Sequence, residues 1–183
     1  IGFGNAKKPG CGLESAHLQA KSLPKKVLIL GDFTVTQTVK MLGCVEAAML
    51  LMDSQMAFTL KPHPVCKVSP AVCPTVPLEL TNKPLSEILK EFDVAFSRNT
   101  TSAGLDAHLA GLPIVVFLDG SDFNFSPFRG VGGVRFVSTP QELATALQIS
   151  EREGNSPAPD DFFWLDTQIP KWRQALSEAG VTC

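Results

Sequence analysis

At 183 residues the chain is long enough for one full hydrophobic core and short for two. Apolar residues make up 44% and charged residues 19%, the reverse of the balance that keeps a chain unfolded. The 16 Lys and Arg against 18 Asp and Glu leave a formal charge of −2, which argues against a broad electrostatic nucleic-acid surface.

Residues 1–26 carry Gly, Lys and Pro with weak periodicity and read as a linker or arm. Lys25-Lys26-Val27-Leu28-Ile29-Leu30 is then a short apolar strand stopped by Gly31-Asp32. Val35, Val39, Leu42, Val45, Met49 and Met52 recur at helical steps and predict an amphipathic helix. Ala57-Phe58-Thr59-Leu60-Lys61 is a second strand, ended by Pro62-His63-Pro64. Prolines at 62, 64, 70, 74 and 77 exclude helix interior and central strand from that stretch. A brief strand is expected over Val76 to Leu80, and a helix from Pro84 to Phe92. Asp93-Val94-Ala95-Phe96-Ser97 is the next strand, and Thr101 to Ala110 a helix stopped by Gly111. Pro113 to Leu118 is the most apolar strand, and Asp119 to Gly133 a long loop rich in Gly, Phe and Ser. Val134 to Val137 is a strand, and Pro140 to Ile149 a helix capped by Ser138 or Thr139. A polar linker over 151–161 leads to a last helix, Gln168 to Ala179, with Trp172 and Leu176. Apolar strands alternating with helices predict an α/β fold: a parallel sheet covered on both faces.

No apolar run reaches the ~18 residues of a membrane span, and no signal peptide is visible. A start without Met points to a processed chain or an excised fragment. The five cysteines, Cys11, Cys44, Cys66, Cys73 and Cys183, form no C-x-x-C pair. Cys44 reads as a small buried hydrophobe; Cys66 and Cys73 share a loop and read as free thiols, with a disulfide as the alternative. His17, His63 and His108 have no cysteine at ligand spacing, so no metal site is expected.

Ligands of open α/β sheets bind beyond the carboxyl ends of the strands, and polar residues cluster at those places here. Thr100, Thr101 and Ser102 lead into a helix, where hydroxyls and backbone N–H groups suit a phosphate. Any helix also needs a cap, which Asn99 or Thr100 supplies, but one hydroxyl suffices for that. His63 is held between two prolines, placed to donate to a phosphate or to act as acid or base; a surface loop histidine is the plainer alternative. Asp106 stands one turn inside the helix, able to accept ribose hydroxyls or simply to answer the helix dipole. In the long loop, Phe123, Phe125 and Phe128 alternate with Asn124, Ser126 and Arg129. One reading is an apolar wall for a base with three polar contacts; the other is a loop folded onto the core by its own aromatics. Gly130-Val131-Gly132-Gly133 precedes a strand and is no dinucleotide fingerprint.

Leu60-Lys61-Pro62-His63-Pro64, Phe92 to Ser97, Asn99-Thr100-Thr101-Ser102-Ala103, Asp106-Ala107 and Gly111 to Val116 together resemble a family. It is the carboxyl-terminal, nucleotide-sugar-binding domain of GT-B glycosyltransferases, closest in look to bacterial surface-carbohydrate and capsule enzymes related to sialyl- and polysialyltransferases. Phe162 to Asp166 and Trp172-Arg173 add to the likeness. The resemblance implies a Rossmann-like domain over 27–150, one half of a GT-B architecture, after a 1–26 arm and before a 151–183 linker and helix packing back. It implies His63 as the catalytic phosphate contact, Thr100, Thr101 and Ser102 on the phosphate and Asp106 on the ribose; Lys61, Asn124, Ser126 and Arg129 are read beside them as further contacts of the donor. Asp106 stands where many relatives carry Glu. The implied substrate is a CMP- or UDP-linked sugar, with no cofactor and no metal. The glycan acceptor would be bound by a second, amino-terminal half, and no nucleic acid is implied. The implied location is cytoplasmic, compatible with peripheral association at the inner membrane. Two other readings stay open: half of a nucleotide-sugar epimerase, and a non-catalytic α/β assembly module.

Overall fold

The computed structural model describes residues 23–66, 68–69, 74–100, 102–121, 123–152 and 168–181. Six strands form one sheet: β1 (Lys25–Leu30), β2 (Met56–Lys61), β3 (Leu78–Leu80), β4 (Val94–Arg98), β5 (Ile114–Phe117) and β6 (Arg135–Val137). Their order is β3-β2-β1-β4-β5-β6, and every pairing is parallel. The helices are α1 (Val35–Met49), α2 (Leu85–Ile88), α3 (Ala103–Leu109), α4 (Pro140–Ile149) and α5 (Pro170–Glu178). The expected α/β sheet with helices on both faces is what forms.

Successive strand residues point to opposite faces, so each apolar strand feeds two cores. Val27, Ile29, Phe58, Leu60, Val94 and Phe96 pack under α1 and α4, against Met41, Val45, Leu143 and Leu147. Leu28, Leu30, Ala95, Ile114 and Val116 pack under α2 and α3, against Ile88, Leu105 and Phe128. Full burial of such a side chain stabilises by about 1.5–3 kcal/mol. Both Cys44 and Cys66 are buried free thiols. Burial, aided by nearby Glu142, pushes the Cys44 thiol up to about 11, so it stays protonated and inert at neutral pH.

Element ends depart from the expected ones for visible reasons. The helix expected over 84–92 divides into α2 and a 3-10 turn, Leu89–Glu91. Asp93 exchanges two bonds with Lys26 (N to Lys26 O, 2.9 Å; Lys26 N to Oδ2, 2.8 Å), so the chain must straighten at Phe92 to join β1. The helix expected from Thr101 starts at Ala103, with Ser102 as N-cap and no side-chain cap bond. Asn99 and Thr100 do not cap it, because their side chains are engaged across the sheet edge. Gly111, at φ 78°, closes α3 as expected, with Leu112 N bonded back to Ala107 O at 3.0 Å. Thr139 caps α4 in a reciprocal box with Glu142. No side chain of α5 is buried. Among the described residues no helix is long and apolar enough to cross a membrane.

Candidate functional site

The connections leave β1 toward β2 on one side and reach β4 on the other, which opens a crevice beyond the carboxyl ends of β1 and β4. Leu30 pairs with Lys61 on one flank and with Ser97 on the other. Asp32, His63 and Asn99 therefore each leave the sheet two residues past that common level. Gly31 makes the close approach feasible: a Cβ there would lie 3.3 Å from Lys61 O and Pro62 Cα. Its N–H bonds Lys61 O at 3.0 Å, laying the His63 loop against the β1 loop.

A polar network ties the loops together. Asp32 is fully buried. Its Oδ1 accepts from Thr34 N (3.0 Å) and Thr34 Oγ1 (3.2 Å), and its Oδ2 from Thr100 Oγ1 (2.7 Å). The Arg98 guanidinium, also buried, stands 3.8 Å from Asp32 Oδ2 through Nε and 3.6 Å from Asp119 Oδ1 through Nη2. Lys40 Nζ reaches Asp119 Oδ2 at 3.0 Å from α1. The Ser121 hydroxyl, first of all, holds the Asp119 carboxyl well below the usual carboxylate range. Burial opposes that shift, while Lys40, the Ser121 N–H and Arg98 add to it. Two carboxylates and two cations thus lock the loops after β1, β4 and β5 into one unit. Asp32 precedes Thr34, the N-cap of α1, by two residues and accepts from its N–H and hydroxyl.

The expected site residues fare differently. His63 is half-buried, and its Nδ1 accepts from Val65 N at 3.4 Å, which leaves Nε2 as the donor of the neutral ring. Lys61 Nζ donates to Lys83 O (2.8 Å), toward the loop before α2. Thr100 is exposed, and its proton goes to Asp32. Ser102 and Asp106 are exposed at the start of α3; Thr101 lies outside the described residues. Asn124 Oδ1 accepts from Ser126 N (2.9 Å), and buried Ser126 Oγ from Phe128 N (3.2 Å). These two hold a local turn that drives Phe128 into the core, edge-on to His108 at 5.3 Å. Phe123 and Phe125 stay exposed, and so does Arg129. The structure therefore gathers His63 and Thr100 about the crevice, while Asn124 and Ser126 serve their own loop.

Asp32, Arg98 and Asp119 did not figure among the expected site residues. The structure shows why they belong there: Arg98 ends a strand whose every residue is buried, and a buried cation needs anions. Among the described residues no group of three His, Cys, Asp or Glu is placed to hold a metal ion. A groove of about 500 Å3 runs instead along β6 and α4, lined by Val134, Phe136, Thr145, Ala146 and Ile149, away from the crevice.

No protein-family model matches the sequence, and no curated protein matches it. Among solved structures, CalG4, the calicheamicin glycosyltransferase, superposes with a TM-score of 0.53 at 15% identity, over 86% of this chain and 39% of its own. The fold is a Rossmann-like α/β sheet, consistent with half of a GT-B fold. The chain spans about two fifths of the length of CalG4. SnogD, a glycosyltransferase from Streptomyces nogalater, matches at 15% identity over 87% of this chain and 46% of its own, TM-score 0.49. KpsC from Thermosulfurimonas dismutans, a beta Kdo 2,7 transferase, matches at 15% identity over 77% and 47%, TM-score 0.47.

Proposed function

We propose that this chain is the donor-binding half of a glycosyltransferase, with a CMP- or UDP-linked sugar lying in the crevice beyond β1 and β4. The observation that carries this reading is the locked meeting of three strand-end loops at the reversal point of a GT-B-like sheet. A buried Asp32–Arg98–Asp119 network is a rigid base for a binding surface, and rigidity lowers the entropy lost on binding. The binding domain is the 27–150 unit, with 1–26 and 151–183 as flanking segments.

In the reaction an acceptor hydroxyl attacks the anomeric carbon and the bond from that carbon to the phosphate oxygen breaks. The acceptor's proton passes to a base supplied by a second half, and the nucleotide leaves with its phosphate charge. His63 Nε2 donates to that phosphate, which favours departure because the bond strengthens as negative charge grows. Ser102 and Thr101 add hydroxyl donors, and Asp106 accepts from the ribose. Lys61 and Arg129 contribute positive charge. In the cell we assign the activity to surface-polysaccharide synthesis of the sialyltransferase-like kind, at the cytoplasmic face of the inner membrane.

Calorimetric titration with CMP and UDP, paralleled by amide chemical shifts, tests the reading. Binding of one of them is expected, with His63→Ala weakening it about tenfold, the worth of one bond to a charged group. No heat and no shift with either nucleotide overturns it.

A further inference from the structure

At the end of β4 the Thr100 hydroxyl has its proton already committed, and this bears on which part of a ligand lies against it. Thr100 is exposed, but its proton is committed to Oδ2 of the fully buried Asp32 carboxylate at 2.7 Å. Toward the crevice Thr100 Oγ1 therefore presents lone pairs. On the β5 side of the same strand end, Asn99 Nδ2 donates to Phe123 O at 2.8 Å. Asn99 is 3% exposed, and its Oδ1 has no hydrogen-bond partner among the described residues. Gln37 Oε1, on the first turn of α1, is in the same condition. Both of these oxygens are sealed from solvent, so Thr100, which is exposed, is the acceptor among the three that a ligand can reach.

A phosphate supplies no donor. It would meet the lone pairs of Thr100 with its own, one bond away from the Asp32 charge. Turning the Thr100 hydroxyl to meet it would strip a donor from a buried carboxylate. A polyol fits instead, because one of its hydroxyls can donate to Thr100 Oγ1 and still accept elsewhere.

We propose that the end of β4 is a hydroxyl-recognition subsite, with Thr100 accepting from a hydroxyl of a sugar ring, and Asp32 as the positioning residue that sets the Thr100 proton. The inference rests on the donor-binding reading, and it moves Thr100 from the phosphate to the sugar side of the donor. The ring is either the ribose of the nucleotide or the transferred sugar.

Thr100→Val keeps the shape of the side chain and removes the acceptor; Thr100→Ser restores it. Both variants are titrated with CMP, UDP, their 2′-deoxy forms, a CMP- and a UDP-sugar, and inorganic pyrophosphate. Thr100→Val is expected to weaken the hydroxyl-bearing ligand about tenfold, Thr100→Ser to recover it, and pyrophosphate to be unaffected. Loss already with the free nucleotide, and absent with its deoxy form, assigns the ribose. Loss confined to the sugar nucleotide assigns the transferred sugar. Equal loss for pyrophosphate, or no loss for any ligand that the wild type binds, overturns the subsite alone. A wild-type chain that binds no nucleotide overturns the donor-binding reading and this inference with it.

Discussion

Arg98 and Asp32 show how much a single residue decides here. Both side chains are almost wholly buried, so the Asp32 charge depends on Arg98 for its compensation, and the Arg98 charge on Asp32 and Asp119. Removing one member leaves a buried charge without its counterpart, which costs about 3 kcal/mol or more. Arg98→Met is therefore expected to lower the melting temperature by about 6–12 °C. The double variant Arg98→Met with Asp32→Asn should lose less than the two single losses summed, and a thermal double-mutant cycle measures that coupling. Asp119 adds a pH dependence of definite sign. Its carboxyl is held below its ordinary value of 3.8 in the folded state, chiefly by the Ser121 hydroxyl. The stability it contributes is thus fully present above about pH 4 and is lost as the pH falls through the folded value. Melting curves from about pH 6 down to about pH 2 should fall less steeply for Asp119→Asn than for the wild type. At neutral pH that variant should be less stable by about 1 kcal/mol, because Lys40 and Arg98 lose a partner. An equally steep fall in both proteins would remove Asp119 from the account.

At the scale of the elements, two glycines in helices make opposite demands. Gly43 lies within α1, and a Cβ there would meet nothing within 4 Å. Gly43→Ala should raise stability by about 0.5–1 kcal/mol through helix propensity alone, read as a melting shift of a few degrees. Gly104 lies in α3, where a Cβ would stand 2.8 Å from Ser97 Oγ and 3.5 Å from Phe128. There the steric term outweighs the propensity gain, and Gly104→Ala should destabilise by about 1–2 kcal/mol. Ser97→Ala removes the obstructing oxygen, which has no hydrogen-bond partner among the described residues, so the double variant should recover most of the loss. The elements were legible wherever periodicity speaks: α1, β4, β5 and α4 lie where their apolar spacing puts them. Their ends were not, because an end is set by partners remote in sequence. Phe92 extends because Asp93 pairs with Lys26, and α3 starts late because Thr100 is held by Asp32. The same remoteness hid the site's buried base, since nothing local marks Asp32, Arg98 and Asp119 as neighbours.

For the whole molecule, the strand order turns separate loops into one candidate surface. Alternating apolar strands and helices predict a parallel sheet, but they do not state the order, and it is the reversal at β1 that makes a crevice. A ligand that bridges the loops after β1, β2 and β4 links segments distant in the chain, so its binding energy opposes global unfolding. At about one hundred times its dissociation constant a nucleotide should stabilise the fold by about 2.7 kcal/mol, a melting rise of about 5–10 °C. Melting alone does not say where the ligand sits, and the groove beside β6 is the competing place. Amide hydrogen exchange separates the two. Binding at the crevice should slow exchange in residues 31–34, 62–66 and 98–100, leaving Arg135–Val137 and the outer face of α4 at their free rates. Slowed exchange confined to β6 and α4 would move the ligand to the groove and leave the Asp32 network a structural lock.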